Sequence, residues 1–194
     1  MIKFAVNRSC GKASKVIFPE LFFDENILQC ALEGCEELKN LVLPYKNSLF
    51  RDSEEKFECI AKQIHKLKDL ESLSLDSSCH VEEILAEIYI HCKKFASLTV
   101  TDDISNEEAS AIVTFVPNIK QLVLSHCHLP REDLILILSG CRRLELLDVT
   151  HCIGFDAEDA EVLSKASHIK IFKSLGSVAV NSDSDSHCGY EIAL

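Results

Sequence analysis

Histidines and cysteines recur side by side in this chain, and they are its most chemically capable residues. His126-Cys127-His128 and His151-Cys152 stand one after the other at a 25-residue interval, with Cys79-His80 and His187-Cys188 elsewhere. Two cysteines and two or three histidines brought together could hold a tetrahedral zinc ion. A cysteine beside a histidine could also act as an activated nucleophile. The spacing argues against both. Cys127 and Cys152 lack the short Cys-to-Cys gap of zinc sites, and nothing singles out one Cys–His pair among ten cysteines and eight histidines. The six glycines are scattered, so there is no phosphate-binding loop, and no G-x-S-x-G elbow occurs. We therefore assign no catalytic residue, metal ligand or cofactor, and expect no enzymatic activity.

The cysteines make more sense as parts of a repeat. Gly140-Cys141-Arg142-Arg143-Leu144-Glu145-Leu146-Leu147-Asp148-Val149-Thr150-His151-Cys152 spaces Leu144, Leu147 and Val149 to point into a core along one short strand. With Leu147 as the marker, equivalent stretches put Leu122, Leu98, Leu73, Leu41 and Val16 in the same place. From Val16 onward the steps, by subtraction, are 25, 32, 25, 24 and 25 residues. Six positions before the marker, Cys10, Cys35, Cys92 and Cys141 share a slot with Leu67 and Val116. A motif repeated at this period, with cysteines in register, marks a solenoid.

Helices must connect these strands. Asp24 is a candidate N-cap for a helix reaching about Gly34. Phe57, Ile60, Ala61 and Ile64 have helical spacing, as do Ile84, Leu85 and Ile88. Ser105 and Glu108 form a capping box before Ala109, Ile112 and Val113, and Pro117 stops that helix. Pro130 suits a first helical turn before Leu134, Ile137 and Leu138, and Gly140 suits a helix C-terminus. Asp156 is expected to cap a helix bearing Ala160 and Leu163, and Ile169, Ile171 and Phe172 resemble a degenerate last strand. The 32-residue step places about seven extra residues around Tyr45–Ser53, read as surface-loop variation. The chain is expected to start partway down a helix, because Lys3–Gly11 aligns with the helix end Leu28–Glu36 and no capping residue precedes it. The expected organisation is a repeat domain over 1–175, then a polar, acidic tail over 176–194 too poor in apolar residues to order itself.

Bulk composition narrows the partners. The 194 residues are 47% hydrophobic and 26% charged, with a net charge of −11. Without a basic stripe, binding to nucleic acid or an anionic membrane surface is not expected. No apolar run is long enough for a membrane span, and Met1–Arg8 is too short in apolar residues for a secretory signal. The cysteines are accordingly read as reduced, core-filling thiols in the cytosol or nucleus.

The chain resembles the cysteine-containing class of leucine-rich repeats, most clearly at Gly140–Cys152 and at Gly34–Leu41. Phe4–Gly11 is also similar to the segment just after the F-box in plant F-box/leucine-rich-repeat proteins. The resemblance implies an α/β, ribonuclease-inhibitor-like solenoid of about six repeats, with a parallel sheet on the concave side and helices on the convex side. It also implies the target-holding part of a Skp–cullin–F-box ubiquitin ligase. The F-box itself is not found in this sequence, so Skp binding is expected only where an F-box is supplied. The other reading is a stand-alone repeat protein, or a competitor of a longer relative. In either case the residues between the buried leucines should face a partner protein. These are Asn40, Val42, Ser72, Ser74, Asp76, Ser97, Thr99, Thr101, Gln121, Val123, Ser125, Leu146, Asp148 and Thr150.

Overall fold

The computed structural model describes residues 11–18, 29, 32–35, 37–43 and 60–180. The expectations for the chain start, the Asp24 cap, Phe57, the Tyr45–Ser53 insertion, His187-Cys188 and the tail beyond 180 lie outside these residues. Seven short strands form one parallel sheet in chain order: β1 (Lys15–Ile17), β2 (Asn40–Val42), β3 (Ser72–Asp76), β4 (Ser97–Thr101), β5 (Gln121–Val123), β6 (Leu146–Asp148) and β7 (Ile171–Lys173). The register is Val16↔Leu41↔Leu73↔Leu98↔Leu122↔Leu147↔Phe172. Each marker residue found in the sequence thus lies beside the next, and Phe172 adds a seventh. Leu41, Leu73, Leu98, Leu122 and Leu147 are almost completely buried.

Four helices with assigned ends return the chain along the other side: α1 (Val81–His91), α2 (Asn106–Phe115), α3 (Arg131–Gly140) and α4 (Ala160–Ala166). Residues 60–64 are also helical, with Ile60, Ala61 and Ile64 buried. Among the described residues the slot six positions before the marker is buried: Cys35, Leu67, Cys92, Val116, Cys141 and Ala166. The core is therefore a stack of similar layers, each covered by the coils beside it.

The coils also share their backbone hydrogen bonds. The carbonyl oxygens of Ser14, Lys39, Glu71, Ala96 and Lys120 each accept two N–H groups from the next coil, at 2.8–3.0 Å. These five residues sit two positions before the marker. At this level several exposed or partly exposed ion pairs bridge neighbouring coils, including Lys39–Glu71 at 3.0 Å, Lys94–Asp69 at 2.7 Å and Lys170–Glu145 at 2.8 Å. Lys39, Glu71, Lys120, Glu145 and Lys170 share one slot, so opposite signs face each other where coils meet. Each such pair contributes only about 0.2–1 kcal/mol, well below a buried leucine.

The helix boundaries follow local chemistry, with some departures from expectation. Ser105 and Glu108 form the capping box on α2, with the Ser105 N–H donating to Glu108 Oε2 at 2.8 Å. Pro130 is the residue just before α3. Gly140 ends α3 for a packing reason: a Cβ there would lie 2.3 Å from Val113 Cγ1 on α2. Asp156 does not cap α4. It holds the preceding turn by accepting from the Glu158 N–H at 2.9 Å, and Asp159 caps the helix by accepting from Glu161 and Val162. The later start turns the helix, so Val162 and Ala166 are buried while Ala160 and Leu163 are exposed. Past the expected end at 175 the ladder continues through the bridges His128↔Ile153↔Val178, and Ser177 is buried.

Two outcomes test this packing. Leu147→Ala removes a fully buried ladder residue and should lower the unfolding free energy by about 2–5 kcal/mol, read by urea denaturation. Leu175→Ala, at 79% exposure, should change it by less than about 0.5 kcal/mol. The second outcome concerns acid. Arg131 donates to Asp159 at 2.7 Å, and hydrogen bonds from Arg131 and then from the Val162 N–H hold the Asp159 carboxyl at about 2. A depressed folded-state value contributes stability above the ordinary carboxylate range, and that stability is lost as pH falls through the folded value. Carboxyl NMR should therefore place Asp159 near 2, and Asp159→Asn should flatten the decline of melting temperature on the acid side of pH 4, an approximate bound set by the model carboxylate.

Candidate interaction surface

The residues between the buried leucines line one face of the sheet, because side chains alternate along each strand. The register sets Asn40, Ser72, Ser97, Gln121 and Leu146 in one row, and Val42, Ser74, Thr99, Val123 and Asp148 in the next. All ten are exposed or partly exposed. Thr101, Ser125 and Thr150 extend the face toward the loops that follow the strands and are partly exposed. Asp76 differs from expectation: it is 4% exposed. At the end of β3 the chain turns into a short 3-10 helix, Ser77–Cys79, so Leu75 and Asp76 are both buried and the alternation stops.

Not every polar group on this face is available. Thr101 donates its hydroxyl to the Leu75 carbonyl at 3.4 Å. Asp148 accepts from the Thr150 hydroxyl at 2.8 Å and from Lys173 Nζ at 3.0 Å. Burial acts to raise the Asp148 carboxyl, but the hydrogen bonds from Lys173 and Thr150 outweigh it and hold the group below its ordinary value. The side chains of Ser72, Ser74, Ser97 and Thr99 have no hydrogen-bond partner among the described residues. The middle of the face is therefore a strip of open hydroxyls flanked by Val42 and Val123. The same rows also hold residues that the sequence reading passed over: Lys15 and Ile17 on β1, and Ile171 and Lys173 on β7. Ile17 and Ile171 are 58% and 49% exposed. One further repeat step from Asn40 or Leu146 would have found them.

The histidine–cysteine pairs separate into two ladders. Cys127 and Cys152 face inward, with their sulfur atoms in hydrogen-bonding contact at 3.6 Å, and both sulfurs lie within donating reach of the Leu124 carbonyl, at 2.7 and 2.9 Å. Ser177 takes the next place in this ladder, donating to the Val149 carbonyl at 2.6 Å and accepting from the Cys152 N–H at 3.0 Å. The hydrogen bond with Cys152, and then burial, push the Cys127 thiol well above its ordinary range. Burial pushes the Cys92 and Cys141 thiols up to about 11, where a thiol stays protonated and is a poor nucleophile. The imidazoles of His126 and His151 are exposed and stack with centroids 4.9 Å apart. Among the described residues no three His, Cys, Asp or Glu side chains converge as metal donors.

Backbone conformation explains these histidines. Four residues past the marker the chain turns with positive φ, at Asp102 (73°), His126 (60°), His151 (56°) and Gly176 (79°). Aspartate, histidine and glycine tolerate that region better than most residues. At Gly176 a Cβ would also lie 2.3 Å from His151 Nδ1. No helix among the described residues is long and apolar enough to cross a membrane.

Comparison with known proteins agrees with this geometry. No family model matches the chain. Among solved structures it is similar to the crystal structure of a TLR13–ssRNA13 complex, with a TM-score of 0.57 and 13% identity, over 88% of this chain and 23% of that one. Identity this low speaks to the fold alone. The chain is 33% identical to an Arabidopsis thaliana F-box/LRR-repeat protein over 152 residues, 78% of this chain and 47% of the relative. It is 27% identical to the Arabidopsis thaliana F-box protein FBW2 over 180 residues, 88% of this chain and 54% of the relative. The chain thus spans about half the length of these relatives. With the seven-stranded parallel ladder among the described residues, the chain has the fold of a leucine-rich-repeat solenoid, and it is similar in sequence to an F-box/LRR-repeat protein and an F-box protein of Arabidopsis thaliana.

Proposed function

We propose that this solenoid is a protein-recognition module, and that it serves as the target-holding part of a Skp–cullin–F-box ubiquitin ligase in the cytosol or nucleus. The observation that carries the reading is the similarity to one Arabidopsis thaliana F-box/LRR-repeat protein over 78% of the chain. The geometry supplies a surface to match. The strip from Ser72 to Val123 offers hydroxyl donors and acceptors beside small apolar side chains on a rigid ladder. A partner strand or loop lying across it would meet equivalent positions at each coil. In this division of labour an F-box contacts the Skp adaptor, and the repeats choose what is ubiquitinated.

The test uses the full chain fused to an F-box. The fusion should co-precipitate the Skp adaptor together with a reproducible target. Replacing Thr99 and Val123 with arginine should lose at least about 90% of the target, equivalent to a penalty of roughly 1.4 kcal/mol or more, while adaptor binding is unchanged. Retention of the target by the double variant would contradict recognition by this face. Adaptor binding by the chain without a fused F-box would contradict the division of labour.

A further inference from the structure

A second site lies among the helices rather than on the exposed sheet face. The C-terminal ends of α3 and α4 flank an open cleft of about 280 Å³ lined by Leu138, Ser139, Arg142, Ser164, Lys165, Ser167 and His168. Among the described residues no carboxylate lines it. The chain as a whole carries a net charge of −11. Lys39, Lys66, Lys94, Arg131, Lys170 and Lys173 each reach a carboxylate on a neighbouring coil. Arg142 and Lys165 do not. Arg142 Nε donates to the Ser139 carbonyl at 2.8 Å, and Lys165 Nζ donates to Ser139 Oγ at 3.2 Å. Two cations thus converge on one residue without a counter-ion among the described residues.

We propose that this cleft binds a tetrahedral phosphoryl dianion, either free or carried on a partner protein's side chain. Arg142 spends only Nε on the protein, which leaves both terminal nitrogens to donate in the fork geometry that suits phosphate. The Lys165 ammonium has two further hydrogens to donate. Ser164 and Ser167, on either side of Lys165 in the sequence, add hydroxyls to the lining. A bound dianion would relieve the repulsion between the two cations, and their charge must outweigh the carbonyl ends of α3 and α4, which disfavour an anion.

The test titrates the full chain with inorganic phosphate, and separately with a phosphoserine peptide and its unphosphorylated twin. Sodium chloride holds the ionic strength constant, and ¹⁵N NMR follows the backbone amides. Saturable shifts at Ser139, Arg142, Ser164 and Lys165 are expected with phosphate. Arg142→Gln or Lys165→Gln should weaken binding by about tenfold or more; both side chains are at the surface, and unchanged melting would verify that the variants are folded. Equal affinity for phosphate and phosphopeptide would assign a free-anion site. Tighter binding of the phosphopeptide than of phosphate or the twin would assign a phosphorylated partner. Non-saturating shifts, or unchanged affinity in both variants, would overturn the proposal and leave Arg142 and Lys165 serving only the helix ends.

Discussion

A strand in a parallel ladder satisfies half of its backbone on each neighbour, and this constraint organises the whole molecule. Among the described residues no strand is longer than five residues, and a segment that short has no stability alone. It persists because the coil before it and the coil after it supply hydrogen bonds and cover its leucine. Leu73, Leu98, Leu122 and Leu147 are fully buried for that reason. The doubled acceptors at Lys39, Glu71, Ala96 and Lys120 belong to the same constraint, since they fix where each coil enters the sheet. Stability in such an array is close to a sum of nearest-neighbour contributions.

The proposed function draws on the positions that the constraint leaves unused. The inward side chains must be apolar and of similar size, so they carry little information about a partner. The outward side chains are unconstrained by the core and vary from serine to valine to aspartate. Where the stack uses an outward group for itself, as with Asp148 held by Lys173 and Thr150, that group is less available to a ligand. The open hydroxyls of β3 and β4 are the part of the face that the fold does not consume. The thiols show the same economy of roles: Cys127 and Cys152 satisfy the Leu124 carbonyl inside the turn, while the histidines beside them occupy a backbone conformation.

Much of this was legible in the sequence because every step but one is 24 or 25 residues. Spacing alone identified the partners Leu41, Leu73, Leu98, Leu122 and Leu147, and the pleat then assigned the outward rows. What escaped was local. Asp156 and Asp159 both suit a helix cap, and only the turn geometry decides between them. Asp76 looked like one more outward residue, but the turn after β3 buries it. Ser177 does not resemble a cysteine, although it sits 25 residues after Cys152 and fills the same ladder. His126 and His151 suggested metal chemistry, whereas their positive φ angles give a backbone reason for their placement.

The central claim is that partner recognition belongs to the middle of the exposed sheet face. It is tested most directly by placing a photo-crosslinking amino acid at Thr99, and separately at Glu87 on the outer side of α1, in the chain fused to an F-box and expressed in plant cells. The account predicts a discrete adduct to one partner protein from Thr99, and none from Glu87. Adducts to that partner from Glu87 alone, or equally from both positions, would contradict it.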